Sequence, residues 1–539
     1  MRNRLPNPVA MPRQMTLFAG LLAACSTPTA DPKTAAGADS ADPGGTPATI
    51  HLADAIEIDP LLEHLSALDT ISSASGRTRV LGSAAFDASA DYVRGVLEAA
   101  GFVVTEMPFT HGLWSEVGPG VLAAEGLTAF EPGVDYQNFG RSPAGRATGP
   151  LHAVDVQLPP PGGASSTDSG CEPSDWEGFP AGSIALIQRG GCTFSEKVAQ
   201  AEAAGAVAVI VFNEGQRDRQ GLIDGQLDDV LAHDVPVLDA RTAVAEALLE
   251  RMAVGTLVAT VEAQVEVERV PTVNLLADLA GETDDLVVVG AHLDSVAAGP
   301  GVNDNGSGTA TVLELARLSA ALRADGQAPP RNTLRFAFWG AEESGLIGSF
   351  AYVRGLDTPA LTQHVANLNF DMLASPNGFR AVYDGDGDAG LGGALAPEGS
   401  AAIEALFTEH FDSRDLDWTA TAFDGRSDYG PFILAGIPAG GLFSGAEVAK
   451  SAHEALVYGG TAGEPLDACY HKACDGIDNI DPVLLLEMAE AAASATAGAA
   501  NLTPFDRSRQ ALPAAPGAHA TMGHGLPFVG GCDRAHPAR

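Results

Sequence analysis

The chain has 539 residues, of which 69 are acidic and 30 are basic, so its formal net charge is −39 at pH 7. A surface this acidic argues against nucleic acid and anionic membranes as partners, because both carry negative charge. The apolar fraction of 45% is ordinary for a soluble protein with a full core, and the length allows two to four domains.

The N-terminus has the pattern of an export signal. Three arginines precede a short apolar run at residues 15–24, which is too short to span a bilayer. The run ends beside Cys25 in a pattern that resembles a bacterial lipoprotein signal, in which the cysteine becomes the acylated first residue; an ordinary cleaved signal peptide is the alternative. We expect residues 1–24 to be removed and the mature chain, without a transmembrane span, to be secreted or anchored to the cell envelope through a lipid on Cys25. Residues 25–50 are rich in Ala, Thr, Asp, Gly and Pro, which predicts a disordered tether.

Six cysteines also fit an exported protein. Cys171 and Cys192 flank a strand-like segment, and Cys469 and Cys474 lie close together along the chain. We therefore predict two disulfides, Cys171–Cys192 and Cys469–Cys474. Cys532 is left over and could pair with Cys25 if that residue is not acylated, because sequence alone does not fix connectivity. It lies in a stretch rich in Pro, Ala and Gly, and we predict a flexible C-terminal tail over residues 503–539.

The first folded elements are two predicted helices and a strand between residues 58 and 110. Leu61, Leu65 and Leu68 lie on one helical face, and Gly101 ends the second helix as a C-cap. Residues 102–109 alternate between apolar and polar, which predicts a strand. We interpret this segment as the beginning of an α/β domain.

The next segment, residues 148–265, has a different sequence pattern. Its sequence ALIQRGGCTF at residues 185–194 resembles the protease-associated (PA) domain, which is found inserted in several exported peptidases. No set of residues in the segment suggests catalysis, so we interpret it as a lid or spacer that limits access of substrate. The flanking segments, residues 51–147 and 266–502, are then predicted to build one domain together.

The most informative pattern lies between Leu286 and Glu343. Two apolar runs, at residues 286–290 and 334–339, are separated by helical spacing at residues 309–322, which predicts a βαβ unit in a parallel sheet. The predicted fold class is therefore α/β, with a central mixed, mostly parallel sheet flanked by helices. Ligands of such sheets bind beyond the carboxyl ends of the strands.

Potential metal ligands follow three predicted strands, namely the two runs above and a third apolar run at residues 365–370. Zinc takes imidazole nitrogen and carboxylate oxygen, and two zinc ions about 3.5–4 Å apart need a shared ligand such as a carboxylate. Taken singly, each candidate is more simply a loop residue or a helix cap, but their joint occurrence at strand ends favours a metal site. The candidates are His292, Asp304, Glu342, Glu343, Asp371 and His471.

These residues lie in motifs that resemble the two-zinc aminopeptidases of peptidase family M28, a group of exported bacterial enzymes and a yeast vacuolar enzyme. The similarity covers about residues 58–147 and 266–502, with the PA-like segment inserted between them. The motifs are Ala291–Ser295, Gly301–Gly308, Phe338–Ser349, Asn369–Met372, Arg426–Tyr429 and Cys469–Asp475.

The resemblance implies a zinc-exopeptidase fold and two Zn²⁺ per chain. One zinc would be held by His292 and Asp371, and the other by Glu343 and His471. Asp304 would bridge the two ions and be followed by a cis peptide bond.

The resemblance also assigns the catalytic residues. Glu342 would be the general base for the attacking water, and Tyr470 would hydrogen-bond the oxyanion. Asp294 would orient His292, and Arg426 would contact the substrate backbone. The implied activity is removal of N-terminal residues from peptides with a free N-terminus.

Two other functions stay open at this point. The first is a single-zinc acyltransferase of the glutaminyl-cyclase type on the same fold, against which the five-ligand set argues. The second is a non-catalytic surface lipoprotein that binds peptides, against which the intact Glu342 argues. The Asp-Gly alternation at residues 384–388 adds a minor alternative of Ca²⁺ binding, although position twelve of an EF-hand loop would be Leu395.

Overall fold

A computed structural model describes residues 52–162, 166–391 and 396–505 of the chain. The predicted signal peptide and tether lie outside the described residues, as do Cys25, Leu395, Cys532 and nearly all of the predicted tail. Within the described part, no helix combines the length and apolarity that a membrane span requires.

The described residues form fifteen strands and eleven α-helices. The strands are β1 (Val104–Glu116), β2 (Val121–Ala124), β3 (Tyr136–Asn138), β4 (Gly145–Val154), β5 (Ile184–Gln188), β6 (Ala208–Phe212), β7 (Val237–Ala240), β8 (Val258–Ala263), β9 (Val265–Leu279), β10 (Thr283–His292), β11 (Asn332–Trp339), β12 (His364–Phe370), β13 (Ala381–Tyr383), β14 (Thr419–Thr421) and β15 (Ala439–Phe443). The helices are α1 (Ile58–Ala74), α2 (Ala84–Ala99), α3 (Phe194–Ala203), α4 (Thr242–Met252), α5 (Gly306–Ala324), α6 (Ile347–Arg354), α7 (Thr358–Gln363), α8 (Ser400–Ser413), α9 (Tyr429–Leu434), α10 (Ala452–Tyr458) and α11 (Pro482–Ala499).

Eight strands form a mixed sheet in the order β1-β9-β11-β10-β12-β15-β13-β14. Its centre, β11-β10-β12-β15, is parallel; β9 pairs with β11 in antiparallel orientation, and β1 pairs with β9 in antiparallel orientation. The predicted βαβ unit is present as β10, α5 and β11. The α/β class and the mixed sheet flanked by helices are therefore confirmed.

Alternating residues of β10 face two apolar layers. Val287 and Val289 pack into a core shared with α1, α2, α5, α8 and α11, whereas Leu286 and Val288 pack into one shared with α6, α7 and α9. Full burial of such a side chain contributes about 1.5–3 kcal/mol to folding relative to exposure. The centre of the sheet is thus covered on both faces, and its carboxyl edge is left for the loops that carry polar side chains.

Seven strands form a second sheet in the order β2-β8-β4-β5-β6-β7-β3. Strands β4 to β7 are parallel, and α3 and α4 pack on opposite faces of them. The sheet also takes in β2 and β3, which precede residue 148, the predicted start of the inserted domain; the domain boundaries stay a prediction. The predicted disulfide Cys171–Cys192 is present here.

The two sheets are joined by a ribbon of β1 and β9. These strands pair in antiparallel register along their whole common length, from Val104 opposite Ala277 to Glu116 opposite Val265. The chain therefore enters the second sheet along β1 and returns along β9. At about 3.4 Å per residue the ribbon is roughly 40 Å long.

Candidate metal centre

The first group of ligand-type side chains lies at the carboxyl edge of the main sheet. His292 is the last residue of β10, Asp371 directly follows β12, and Asp304 lies in the loop that enters α5. The Nε2 atom of His292 is 3.3 Å from Oδ1 of Asp304 and 3.4 Å from Oδ1 of Asp371. The three residues can each direct one ligand atom at a common point, because these atoms lie within 4.8 Å of one another.

The second group shares Asp304 with the first. Nε2 of His471 is 3.1 Å from Oδ2 of Asp304 and 3.1 Å from Oε2 of Glu343. Asp304 thus directs one carboxylate oxygen toward each group. The structure brings all five predicted ligands together, and the peptide bond after Asp304 is cis, as predicted.

The ligand atoms fit a divalent metal. His292 Nε2, Asp304 Oδ2 and Asp371 Oδ1 are buried, and none has a hydrogen-bond partner among the described residues. Burial of such atoms without a partner costs about 1–3 kcal/mol each, more if they are charged. Imidazole and carboxylate ligands that converge in this way are the donor set of zinc.

The loop that carries Asp304 is held by two buried side chains without an assigned role in the sequence analysis. The carboxylate of Asp475 accepts hydrogen bonds from the backbone amides of Asn303 (2.9 Å) and Asp304 (3.1 Å). The guanidinium of Arg79, which is fully buried, donates to the carbonyls of Pro300 and Gly301. These bonds fix the backbone from which the Asp304 carboxylate projects.

Asp294 has a contact that its predicted role does not include. Its carboxylate accepts hydrogen bonds from the backbone amides of Glu342 (3.1 Å) and Glu343 (3.3 Å). His292 Nδ1 lies 3.2 Å from the backbone carbonyl of Asp294 and 3.6 Å from its carboxylate. Asp294 therefore links the His292 strand to the loop after β11, and orientation of the imidazole by its carboxylate stays a prediction.

The Glu342 carboxylate faces the first group. Its Oε2 atom is 3.8 Å from His292 Nε2, and the residue is buried. Burial raises the pKa of Glu342 well above its usual range; the nearby His292 lowers it, and the Glu343 and Asp371 carboxylates raise it further. A buried carboxyl group that faces the first ligand group is placed for proton transfer at this edge of the sheet.

Tyr470 lies over the second group. Its ring stacks on the imidazole of His471, with the ring centroids 3.8 Å apart. Burial raises the pKa of the Tyr470 hydroxyl above its usual value, and the Asp304 and Glu343 carboxylates add to the effect, so the hydroxyl stays protonated and can donate. The guanidinium of Arg426 donates to that hydroxyl (3.2 Å) and to Glu447 (2.9 Å). The structure thus pairs Arg426 with Tyr470, and its contact with substrate stays a prediction.

His471 lies inside a small covalent ring. The predicted disulfide Cys469–Cys474 is present, and His471 has a φ of +56°, which is uncommon for a residue other than glycine. The ring restricts the backbone that aims the imidazole.

Replacing both cysteines of this ring by serine is expected to lower kcat/KM and zinc retention roughly tenfold, because a ligand loses the contacts that orient it. Zinc release to a chelator and peptidase kinetics would measure the effect. The matched control removes the disulfide of the second sheet (Cys171→Ser with Cys192→Ser), which should leave zinc retention unchanged. Equal zinc retention by the two double variants would contradict an orienting role for the ring.

A third acidic group combines two aspartates of the Asp-Gly alternation at residues 384–388 with Glu404 of α8. Asp384, Asp386 and Glu404 have carboxylate oxygens within 4.8 Å of one another. Glu404 Oε2 accepts the backbone amides of Gly385 and Asp386, however, so these carboxylates already stabilise the loop. Calcium binding stays without support.

The mixed sheet and the two ligand groups at its edge define a candidate metal-binding protein of the α/β class. Comparison with known families gives the same answer: the Peptidase family M28 matches residues 274–496, and the PA domain matches residues 147–248. The chain is 42% identical over 433 residues to an "Aminopeptidase" of Pseudomonas aeruginosa, which covers 79% of this chain and 78% of the relative. It is 40% identical over 448 residues to the "Probable lipoprotein aminopeptidase LpqL" of Mycobacterium tuberculosis, covering 82% of this chain and 85% of the relative.

The chain belongs to peptidase family M28. Among solved structures, an aminopeptidase from Aneurinibacillus sp. strain AM-1 superimposes with a TM-score of 0.53 at 25% identity, over 85% of this chain and 97% of that one. The resemblance to this family and to the PA domain is confirmed, and so is the enzyme class, a metallo-aminopeptidase.

Proposed function

We propose that the protein is an exported aminopeptidase that binds two zinc ions and uses Glu342 as its general base. One observation carries the proposal: Asp304 directs one carboxylate oxygen to each of two ligand groups, His292 with Asp371 and Glu343 with His471. A single-zinc site would need only one of these groups. The shared carboxylate is the arrangement that two closely spaced ions require.

Three residues beside the ligand groups have defined tasks in this proposal: Glu342, Tyr470 and Arg426. Zinc, when bound, polarises the scissile carbonyl and lowers the pKa of water. The Glu342 carboxylate accepts the proton of the attacking water and returns it to the leaving amine. The Tyr470 hydroxyl donates a hydrogen bond to the oxygen on which negative charge develops, and Arg426 holds that hydroxyl in place.

The proposed substrates are peptides with a free N-terminus. The positively charged α-amine is expected to bind beside the Glu342 carboxylate, which lies at this edge and belongs to neither ligand group. An acetylated N-terminus lacks this charge. The chain is therefore expected to act as an exopeptidase and to reject blocked peptides.

We propose export for the whole chain, with a lipid anchor at Cys25 or with release after signal cleavage. The two disulfides support an extracytoplasmic location. The word lipoprotein in the name of the mycobacterial relative favours the anchor.

A panel of aminoacyl p-nitroanilides, each with an N-acetylated counterpart, tests the proposed activity before chelation, after chelation and after zinc is restored. We expect cleavage of the free-amine substrates alone, loss of cleavage on chelation and recovery with zinc. Zinc content, measured in parallel, should be near two ions per chain. No cleavage in any well while zinc remains bound would favour the acyltransferase alternative, which an assay for cyclisation of N-terminal glutamine would detect.

A further inference from the structure

A loop of the second sheet touches the loop that carries Glu342 and Glu343. The first loop, residues 139–143, directly follows β3. The second, residues 340–346, connects β11 to α6. The contact between them is made by the half-buried side chain of Arg141.

The guanidinium of Arg141 bridges two backbone carbonyls. Nη2 donates to the carbonyl of Ser344 at 2.8 Å, and Nη1 donates to the carbonyl of Asp228 at 2.8 Å. Ser344 directly follows Glu343, whereas Asp228 belongs to the second-sheet part of the chain. At Gly345, φ is +106° and a β-carbon would come within 3.0 Å of Arg141 Nη2, so the guanidinium lies close against this backbone. One side chain therefore ties the two parts of the molecule at the metal centre.

The loop at residues 340–346 is held from its other side by Asp294. The amides of Glu342 and Glu343 donate to the Asp294 carboxylate, and the amides of Gly345 and Leu346 donate to the Glu342 carbonyl. The two glutamates thus sit in a tight turn between Asp294 on the sheet side and Arg141 on the side of the second sheet. Displacement of either support changes where their carboxylates point.

The loop that carries Arg141 is itself firmly anchored. Phe139 is fully buried and packs edge-on against Phe194, with the ring centroids 5.0 Å apart. The Ser142 carbonyl accepts a hydrogen bond from the indole of Trp114 on β1 (2.9 Å), and the Ser142 hydroxyl accepts one from the amide of Val237 (2.8 Å). Arg141 therefore projects from a base that is fixed to the ribbon and to the second sheet.

We propose that Arg141 is a positioning residue, through which the second-sheet domain sets the placement of Glu342 and Glu343 for catalysis. This inference rests on the proposed function, in which Glu342 is the base and Glu343 a zinc ligand. It gives the domain built on the second sheet a task in the chemical step, beyond that of a lid or spacer. Hydrogen bonds from a charged guanidinium are stronger than those between neutral groups, so Arg141 can hold the loop in place. Placement matters for the rate, because a displacement of about 1 Å in a catalytic group can cost about 100-fold.

The test compares Arg141→Met and Arg141→Lys with Arg146→Met. Arg146 is the matched control, because its exposed side chain pairs with Glu262 on the second sheet at a distance from the glutamate loop. For Arg141→Met we expect kcat to fall roughly 10- to 100-fold with little change in KM. Arg141→Lys should retain an intermediate rate, since one ammonium group cannot reproduce the planar two-carbonyl contact. Arg146→Met should stay within about twofold of the wild type.

Hydrogen exchange at residues 340–347 gives a readout that does not depend on turnover. The amides of Gly345 and Leu346 should exchange faster in Arg141→Met and at the wild-type rate in Arg146→Met. Unchanged kcat and unchanged exchange in Arg141→Met would overturn the inference, as would an equal loss of kcat in the two methionine variants. If the wild-type chain cleaves no substrate, the proposed function fails, whereas the exchange comparison still decides whether Arg141 positions the loop.

Discussion

Replacing the Glu342 carboxylate by an amide (Glu342→Gln) is expected to lower kcat by roughly 10²- to 10⁴-fold, the usual contribution of a general base. The amide has the size and shape of the carboxyl group but cannot accept the proton of water. Glu342 belongs to neither ligand group, so zinc content should remain near two ions per chain. The hydrogen bonds that hold this loop use the Glu342 backbone, which the substitution leaves in place.

Steady-state kinetics on a free-amine substrate, together with elemental analysis of bound zinc, would measure this prediction. Glu464→Gln is the matched control, because that side chain is exposed and lies outside the site; it should leave kcat unchanged. A Glu342→Gln enzyme with near wild-type turnover would refute the base assignment. Loss of zinc together with activity would instead indicate that Glu342 is itself a zinc ligand.

Removal of the Asp304 charge has the second large expected effect. Asp304→Asn should weaken zinc binding at least about 100-fold, because replacement of residues that merely support a ligand already costs 10- to 100-fold. Both ligand groups contain this carboxylate, so both ions should be affected and activity should be lost with them. The result would distinguish a shared site from two independent sites.

Zinc content after dialysis against a weak chelator, and titration of the metal-free protein with zinc, would quantify the loss. Asp386→Asn is the matched control: it removes one carboxylate from the other acidic group, at residues 384–404, and should leave zinc binding unchanged. Retention of both ions at wild-type affinity by Asp304→Asn would show that this carboxylate does not bridge them.

The centre of the fold was readable from the sequence because its signal is local. The apolar runs at residues 286–290 and 334–339 lie in strands buried on both faces, and such strands have no polar alternation to confuse the pattern. The two short strands β2 and β3 were not predicted, since three or four residues show no clear period. Their pairing with β8 and β7 depends on contacts 100 or more residues away along the chain.

The candidate site, like the fold, was predicted from the sequence only in part. His292, Glu343 and Asp371 were singled out because they follow strands whose carboxyl ends meet at one edge of a parallel sheet. The family resemblance supplied the ligand roles, including those of Asp304 and His471. Arg79, Asp475 and Arg141 were missed as supporting residues, although Asp475 lies in a motif that the sequence analysis quoted. Each acts by hydrogen bonds to backbone groups that are distant in sequence. Because every residue type offers backbone groups, the sequence does not reveal such a partner.

Arg426 illustrates a role that sequence resemblance describes only in part. The resemblance implies contact with the substrate, whereas the structure pairs its guanidinium with Tyr470 and Glu447. A group that holds the Tyr470 hydroxyl affects the transition state through that hydroxyl. The sequence contains both residues but not the distance between them.

The ribbon of β1 and β9 has a consequence for how this architecture arose. Its far ends, Glu116 and Val265, are paired neighbours, so the 148-residue segment between them begins and ends at adjacent positions. A hairpin turn of about two residues could close the same gap without altering the register of the main sheet. Gain or loss of the whole second domain would therefore need only one insertion or deletion in the gene, and the path of the chain through the catalytic sheet would stay the same.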